Sequence, residues 1–245
     1  MSIYVHYVQS IKENLNLKNV DMCFKQDPRY RFVLEHVETA HGHEYLNLIK
    51  QEFASVYEEH KDLFISLANE NDNYGKPVRH NISDFCVCSA TNLRYIYHAL
   101  LILDHIKDQE LDIVEIGGGY GGLCYYLHSL CFIFNVTIKS YIIYDIPEVC
   151  ELQERYLSLH DIKLTPQSEI KQNSFLISNY GFSEFPKELR DEYVEKIIDP
   201  YISHGFLAWN NEVFYDFSAD KEFTFETERP LTAPNNLFVY FKPSK

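Results

Sequence analysis

The chain has 245 residues with 22 Lys and Arg against 36 Asp and Glu, a formal net charge of −14. Such an acidic chain is poorly suited to holding nucleic acid by its phosphates, although a local basic pocket is still compatible with a phosphorylated small substrate. Hydrophobic residues make up 46%, enough for one large core, or a core with a smaller appended region, without disulfide support.

The first ~80 residues read as helical and strongly charged, with apolar residues at helical spacing from Glu44 to Tyr57. The run Asn69–Pro77 has loop chemistry and marks a boundary or a mobile lid. This divides the chain into an N-terminal helical cap region, 1–80, and a core, 81–245. Cys86 and Cys88 are the only close pair among six cysteines, at a spacing that is not that of a structural zinc site. The expected state is reduced thiols in a cytoplasmic protein. The N-terminus lacks a leader pattern, and no apolar run approaches a membrane span.

A helix over Thr91–Ile106 is followed by alternating strands and helices. Strands are expected at Leu111–Ile116, Thr137–Tyr144, Phe175–Ser178 and Ser203–Trp209, with a short third one at Asp161–Leu164. Helices are expected over Gly121–Phe134, Pro147–Leu159 and Pro186–Ile198. Two strands, Lys221–Glu228 and Asn236–Lys242, close the chain without a helical crossover. The implied class is α/β, a mostly parallel Rossmann-like sheet with helices on both faces and an antiparallel C-terminal hairpin.

The most informative stretch is Ile113-Val114-Glu115-Ile116-Gly117-Gly118-Gly119-Tyr120-Gly121-Gly122. It is a buried strand turning sharply into a helix, with backbone open to a nucleotide-like cofactor. Read as Gly117-x-Gly119-x-x-Gly122 it fits the dinucleotide fingerprint. Read as Glu115-x-Gly117-x-Gly119-x-Gly121 it resembles the first motif of class I S-adenosylmethionine methyltransferases. The closing hairpin favours the second reading. Asp145, at the end of the next strand, is placed to accept both ribose hydroxyls or to cap the following helix.

Together with Ser178-Asn179-Tyr180-Gly181-Phe182-Ser183-Glu184 and Thr91-Asn92-Leu93-Arg94-Tyr95, the glycine turn is similar to the sugar O-methyltransferase family, over roughly residues 75–242. Asn173-Ser174 departs from the fold's relatives, many of which carry an acid there. The resemblance implies S-adenosylmethionine as cofactor and methyl transfer to a hydroxyl of a free sugar, a nucleotide-sugar or a glycan.

The cofactor-binding candidates are Glu115, Gly117, Gly118, Gly119, Tyr120, Gly121, Asp145, Ile146, Ser178, Asn179 and Arg94. Substrate contacts are expected from Tyr180, Phe182, Ser183, Trp209 and Asn210. A methyl acceptor needs a base within hydrogen-bond reach. Glu184 comes first, with complementing the Pro186 helix as its alternative role, and His80 second. The strand ends carry Ser178-Asn179 and Trp209-Asn210 where metal-assisted relatives place carboxylates, so no metal is expected; Glu212 or Glu184 would be the ligand in the alternative. A homodimer is compatible with this reading, and neither nucleic acid nor membrane is an expected partner. Its rivals are an NAD-dependent sugar oxidoreductase, against which stands the lack of an obvious Tyr-x-x-x-Lys pair, and a non-catalytic partner protein that keeps the fold.

Overall fold

The computed structural model describes residues 3–34, 37–210, 213–214, 216–218 and 220–244. They form two compact units, each discontinuous in sequence. The first contains the chain up to His105, Gly119–Phe134 and Ile146–Ile162; the second contains Ile106–Gly118, Asn135–Asp145 and Lys163 onward.

The first unit is helical. α1 (Ile3–Leu15), α2 (Pro28–Arg31), α3 (Thr39–Glu52) and α4 (Ala54–Asp72) precede a two-stranded ribbon of β1 (His80–Asn81) and β2 (Val87–Cys88). α5 (Ala90–His105), α6 (Gly122–Leu130) and α7 (Pro147–Ser158) complete it. The helix expected through Tyr57 breaks at Phe53, whose φ of −124° and ψ of 39° separate α3 from α4. α4 runs on through Asn69–Asp72, where a loop is expected, because Asn71 and Asp72 are buried and hydrogen-bonded there. α5 is buried along nearly its whole length, as its run of apolar residues demands.

The second unit is built on a six-stranded sheet of β3 (Glu110–Ile116), β4 (Thr137–Tyr144), β5 (Ser174–Asn179), β6 (Ile202–Trp209), β7 (Lys221–Thr227) and β8 (Leu237–Pro243), in the order β4-β3-β5-β6-β8-β7. β4, β3, β5 and β6 are parallel, and β8 pairs antiparallel with both β6 and β7. This is a Rossmann-like sheet with an antiparallel C-terminal hairpin. In chain order α6 lies between β3 and β4, and α7 between β4 and β5. Between β5 and β6 come α8 (Gly181–Glu184), α9 (Lys187–Tyr193), a π-helical turn (Val194–Ile198) and α10 (Asp199–Tyr201). The π turn ends two residues before Pro200, which has no N–H to continue a regular helical ladder.

Asp161–Leu164 is not a strand. Just beyond it, the Thr165 N–H donates to the Tyr141 carbonyl of β4 at 2.8 Å. The sheet's core gathers Val114, Ile116, Ile142, Leu176, Leu207 and Val239. The six cysteines are free thiols, of which Cys88 and Cys124 are buried. Among the described residues no helix is long and apolar enough to cross a membrane.

Candidate active site

The strand-to-turn junction is fixed by hydrogen bonds in the second unit. β3 and β4 are in register at Ile116 and Tyr144, and the Gly117 N–H extends the ladder by donating to the Tyr144 carbonyl at 2.9 Å. Asp145 is the next residue on β4's side, so its partly buried carboxyl group stands beside the turn at Gly117. Ile146, exposed, occupies the N-cap position of α7, and Pro147 follows in the first helical turn. The Ile146 side chain makes no capping bond.

Glu115 is buried, and its Oε2 accepts a hydrogen bond from the Tyr141 hydroxyl at 2.8 Å. Burial pushes its pKa up to about 7; the Tyr141 bond pulls it down, and the Asp145 charge adds to the rise. Gly117, Gly119 and Gly121 have φ of +76°, +56° and +94°. A Cβ on Gly117 would sit 3.1 Å from the Gly181 Cα, and one on Gly118 would sit 2.7 Å from the Ile143 Cγ2. The turn therefore demands glycine both for its dihedrals and for close packing. On the other side of the turn, Gln153 donates to the Gly119 carbonyl at 2.8 Å, and Gly121, left-handed, leads into α6.

These features fit S-adenosylmethionine. The turn bends backbone toward the start of a helix, where N–H groups lack intrahelical partners. A partly buried carboxylate lies in register beside it, and a buried acid supports the strand end.

The second distinctive motif is largely architectural. The buried Ser178 hydroxyl donates to the Ile116 carbonyl at 2.7 Å and accepts from the Phe182 N–H at 3.0 Å, tying β5 to β3 and to α8. Its expected role toward cofactor is thus taken over by the fold. Phe182 and Trp209, expected against substrate, are instead core residues at 1% and 0% exposure. Their rings pack edge-on at 6.2 Å, and Trp209 also meets Phe214 at 4.9 Å. Ser183 is buried and donates to the Tyr180 carbonyl at 2.6 Å.

Asn179, Tyr180 and Asn210 remain partly exposed at the ends of β5 and β6. Tyr180 holds a φ of +67°, a strained conformation for a bulky residue, and its N–H donates to the Ala208 carbonyl at 2.8 Å. The exposed Glu184 carboxylate accepts from the Asn210 amide at 2.6 Å. Asn211 and Glu212 lie outside the described residues.

Sequence reasoning missed the anchor of Tyr180. Its hydroxyl donates to Glu228, a buried carboxylate that also accepts from the Thr232 N–H and hydroxyl at 2.7 and 2.6 Å and from Asn236 at 3.0 Å. The available signal was an acid at the end of a strand, directly before Arg229-Pro230.

In the first unit, Tyr120 is fully buried, so its ring cannot pack on a ligand. Its hydroxyl exchanges bonds with the Asn71 side chain, and the Lys25 ammonium lies 4.1 Å from its ring centroid. Arg94 is 8% exposed and donates to the Leu34 carbonyl at 3.2 Å. The Leu34 side chain in turn lies 3.2 Å from where a Cβ on Gly119 would stand. His80, on β1, is partly exposed and lines an open recess beside the start of α5. Among the described residues no cluster of three His, Cys, Asp or Glu is arranged to hold a metal.

No protein-family model matches the sequence, and a search of curated proteins finds no match. Solved structures do show likeness. A ribosomal protein L11 methylase from Lactobacillus delbrueckii subsp. bulgaricus is 15% identical over 62% of this chain and 80% of that one, with a TM-score of 0.44. A SAM-dependent methyltransferase from Aquifex aeolicus is 11% identical over 59% and 88%, with a TM-score of 0.40. TrmK of M. capricolum, solved in complex with S-adenosylhomocysteine, is 12% identical over 60% and 67%, with a TM-score of 0.36.

Proposed function

We propose that this chain is an S-adenosylmethionine-dependent methyltransferase whose acceptor is a hydroxyl group of a sugar. The observation that carries the cofactor assignment is the junction itself. Glu115 is buried at the strand end, three glycines hold left-handed dihedrals, and Asp145 stands in register beside Gly117. The antiparallel β6-β8-β7 edge favours this cofactor over a dinucleotide. The sugar assignment rests on the resemblance of the Ser178–Glu184 and Thr91–Tyr95 motifs. When bound, the cofactor supplies a methyl group made electrophilic by its sulfonium. The chain's share is to orient it, exclude water and accept the acceptor's proton.

Asp145 is assigned to the ribose. Glu184 is assigned as base because it is exposed at the end of the sheet where ligands bind in open α/β folds. Asn210 is then a positioning residue, holding that carboxylate by its amide. The reaction is assigned no metal.

S-adenosylhomocysteine should raise the melting temperature and NAD should not. Asp145→Ala should weaken S-adenosylhomocysteine by about tenfold or more with the fold intact, since hydrogen bonds to a charged group are worth roughly 1.5–3 kcal/mol. A shift with NAD alone would transfer the site to a dehydrogenase. No shift with either would leave the fold without its assigned chemistry. For the base, Glu184→Gln should lower turnover by roughly 10²–10⁴-fold at constant S-adenosylhomocysteine affinity. Near wild-type turnover for that variant, with collapse for His80→Ala, would move the role to His80.

A further inference from the structure

We infer that Glu228 is a positioning residue for the cofactor turn: by holding the Tyr180 hydroxyl it keeps the Asn179–Gly181 bend seated against Gly117. The inference rests on the methyltransferase reading and adds to its site a residue 48 positions along the chain from the bend. Glu228, Tyr180 and Gly117 all belong to the second unit.

The bend needs a holder. Tyr180 follows β5 with φ 67° and ψ −30°, a costly conformation for a bulky side chain, which persists only where its surroundings impose it. The Ser178 hydroxyl ties down both ends of the bend through the Ile116 carbonyl and the Phe182 N–H. At the apex, the Tyr180 N–H donates to the Ala208 carbonyl at 2.8 Å, and the Tyr180 carbonyl accepts from the Ser183 hydroxyl at 2.6 Å. The side chain supplies a further fixed point, its hydroxyl on Glu228 Oε1.

That fixed point is built separately from the bend. Glu228 lies directly after β7 and is 1% exposed. Its Oε2 accepts from the Thr232 N–H at 2.7 Å, the Thr232 hydroxyl at 2.6 Å and the Asn236 amide at 3.0 Å, all from the segment joining β7 to β8. The carboxylate is therefore oriented before it meets Tyr180. On the other side of the bend, Gly181 meets the glycine turn backbone to backbone. A Cβ on Gly181 would sit 3.1 Å from the Gly117 Cα and 3.3 Å from the Ile116 carbonyl oxygen. No flexible side chain lies between them to absorb a shift. If residue 180 relaxed toward negative φ, Gly181 would move against Gly117, and the turn would lose the support that fixes its backbone for a ligand.

The test uses the full chain and S-adenosylhomocysteine, with affinity read by calorimetry well below the melting temperature and folding read by thermal unfolding. Tyr180→Phe keeps the ring and leaves Glu228 its three loop donors. It should weaken S-adenosylhomocysteine by about fivefold or more in a protein that still unfolds cooperatively. Glu228→Ala should weaken it as much, and joining the two should add less than about twofold, since both break one link. Glycine adopts the bend without a holder. Tyr180→Gly should therefore bind more tightly than Tyr180→Phe, and should restore affinity when added to Glu228→Ala. Wild-type affinity in Tyr180→Phe, whatever its melting temperature, would reduce the bond to a tether for the β7–β8 segment and overturn the inference. A loss in Tyr180→Gly at least as deep as in Tyr180→Phe would also overturn it, by making the ring itself the contact. A wild type that ignores S-adenosylhomocysteine would defeat the methyltransferase reading and this inference with it; a wild type that binds while every variant binds equally well would defeat this inference alone.

Discussion

Glu115 carries an unusual burden for a carboxyl group. It is buried, it accepts a hydrogen bond from the Tyr141 hydroxyl, and burial lifts its pKa from 4.5 to about 7. A raised carboxyl pKa favours the folded state at low pH. That stability is fully present below 4.5 and is lost as pH climbs through about 7. The span corresponds to a cost on the order of 3 kcal/mol once the group is forced to ionise. Glu115→Gln keeps an acceptor for Tyr141 and cannot ionise. Its stability relative to wild type should therefore grow between pH 5 and pH 8, as urea unfolding at the two pH values would read. An equal difference at both would show that Glu115 ionises freely where it stands. Other residues show how far sequence reaches at this scale. Glu115 and Asp145 were legible because their strand-end positions follow from alternation. Phe182, Trp209 and Tyr120 were not, because an aromatic at a strand end or turn serves core and ligand equally well until its neighbours are known. Each met other aromatics and was buried.

At the scale of elements, the glycine turn is the junction most sensitive to substitution. Gly117 combines a φ of +76° with backbone of Gly181 at 3.1 Å from its absent Cβ. A left-handed conformation costs a residue with a side chain roughly 1–2 kcal/mol, and backbone cannot yield as a flexible side chain would. Gly117→Ala should lower stability by about 2 kcal/mol, read as a lower denaturant midpoint with unchanged slope. A midpoint equal to wild type would show that the turn relaxes. The strands β3, β4, β5 and β6 were legible because their apolar runs are bounded by turn residues. Asp161–Leu164 has the composition of a strand without its length, and the left-handed Asp161, φ +57°, turns the chain instead. The end of α4 failed in the opposite sense. Asn69–Asp72 has loop composition, yet Asn71 takes bonds from Lys25 and Tyr156 and Asp72 takes bonds from Ser89 and Asn92. Long-range partners overrode local propensity, and nothing local announces them.

At the scale of the whole molecule, charge separates two kinds of acceptor. Proteins that hold nucleic acid non-specifically neutralise several phosphates at once, and reach dissociation constants of roughly 10⁻⁴–10⁻⁶ M at physiological salt. This chain carries −14 overall, so a polyanion approaching most of its surface is repelled. A small acceptor meets only the field at its site; a long RNA meets the rest of the surface as well. Mobility-shift titration with unmodified tRNA at about 150 mM salt should show no complex tighter than roughly 10⁻⁴ M. A tRNA complex in the micromolar range, weakening steeply with salt, would mean that several cations act together on one face. It would replace the small-acceptor reading with a nucleic-acid substrate.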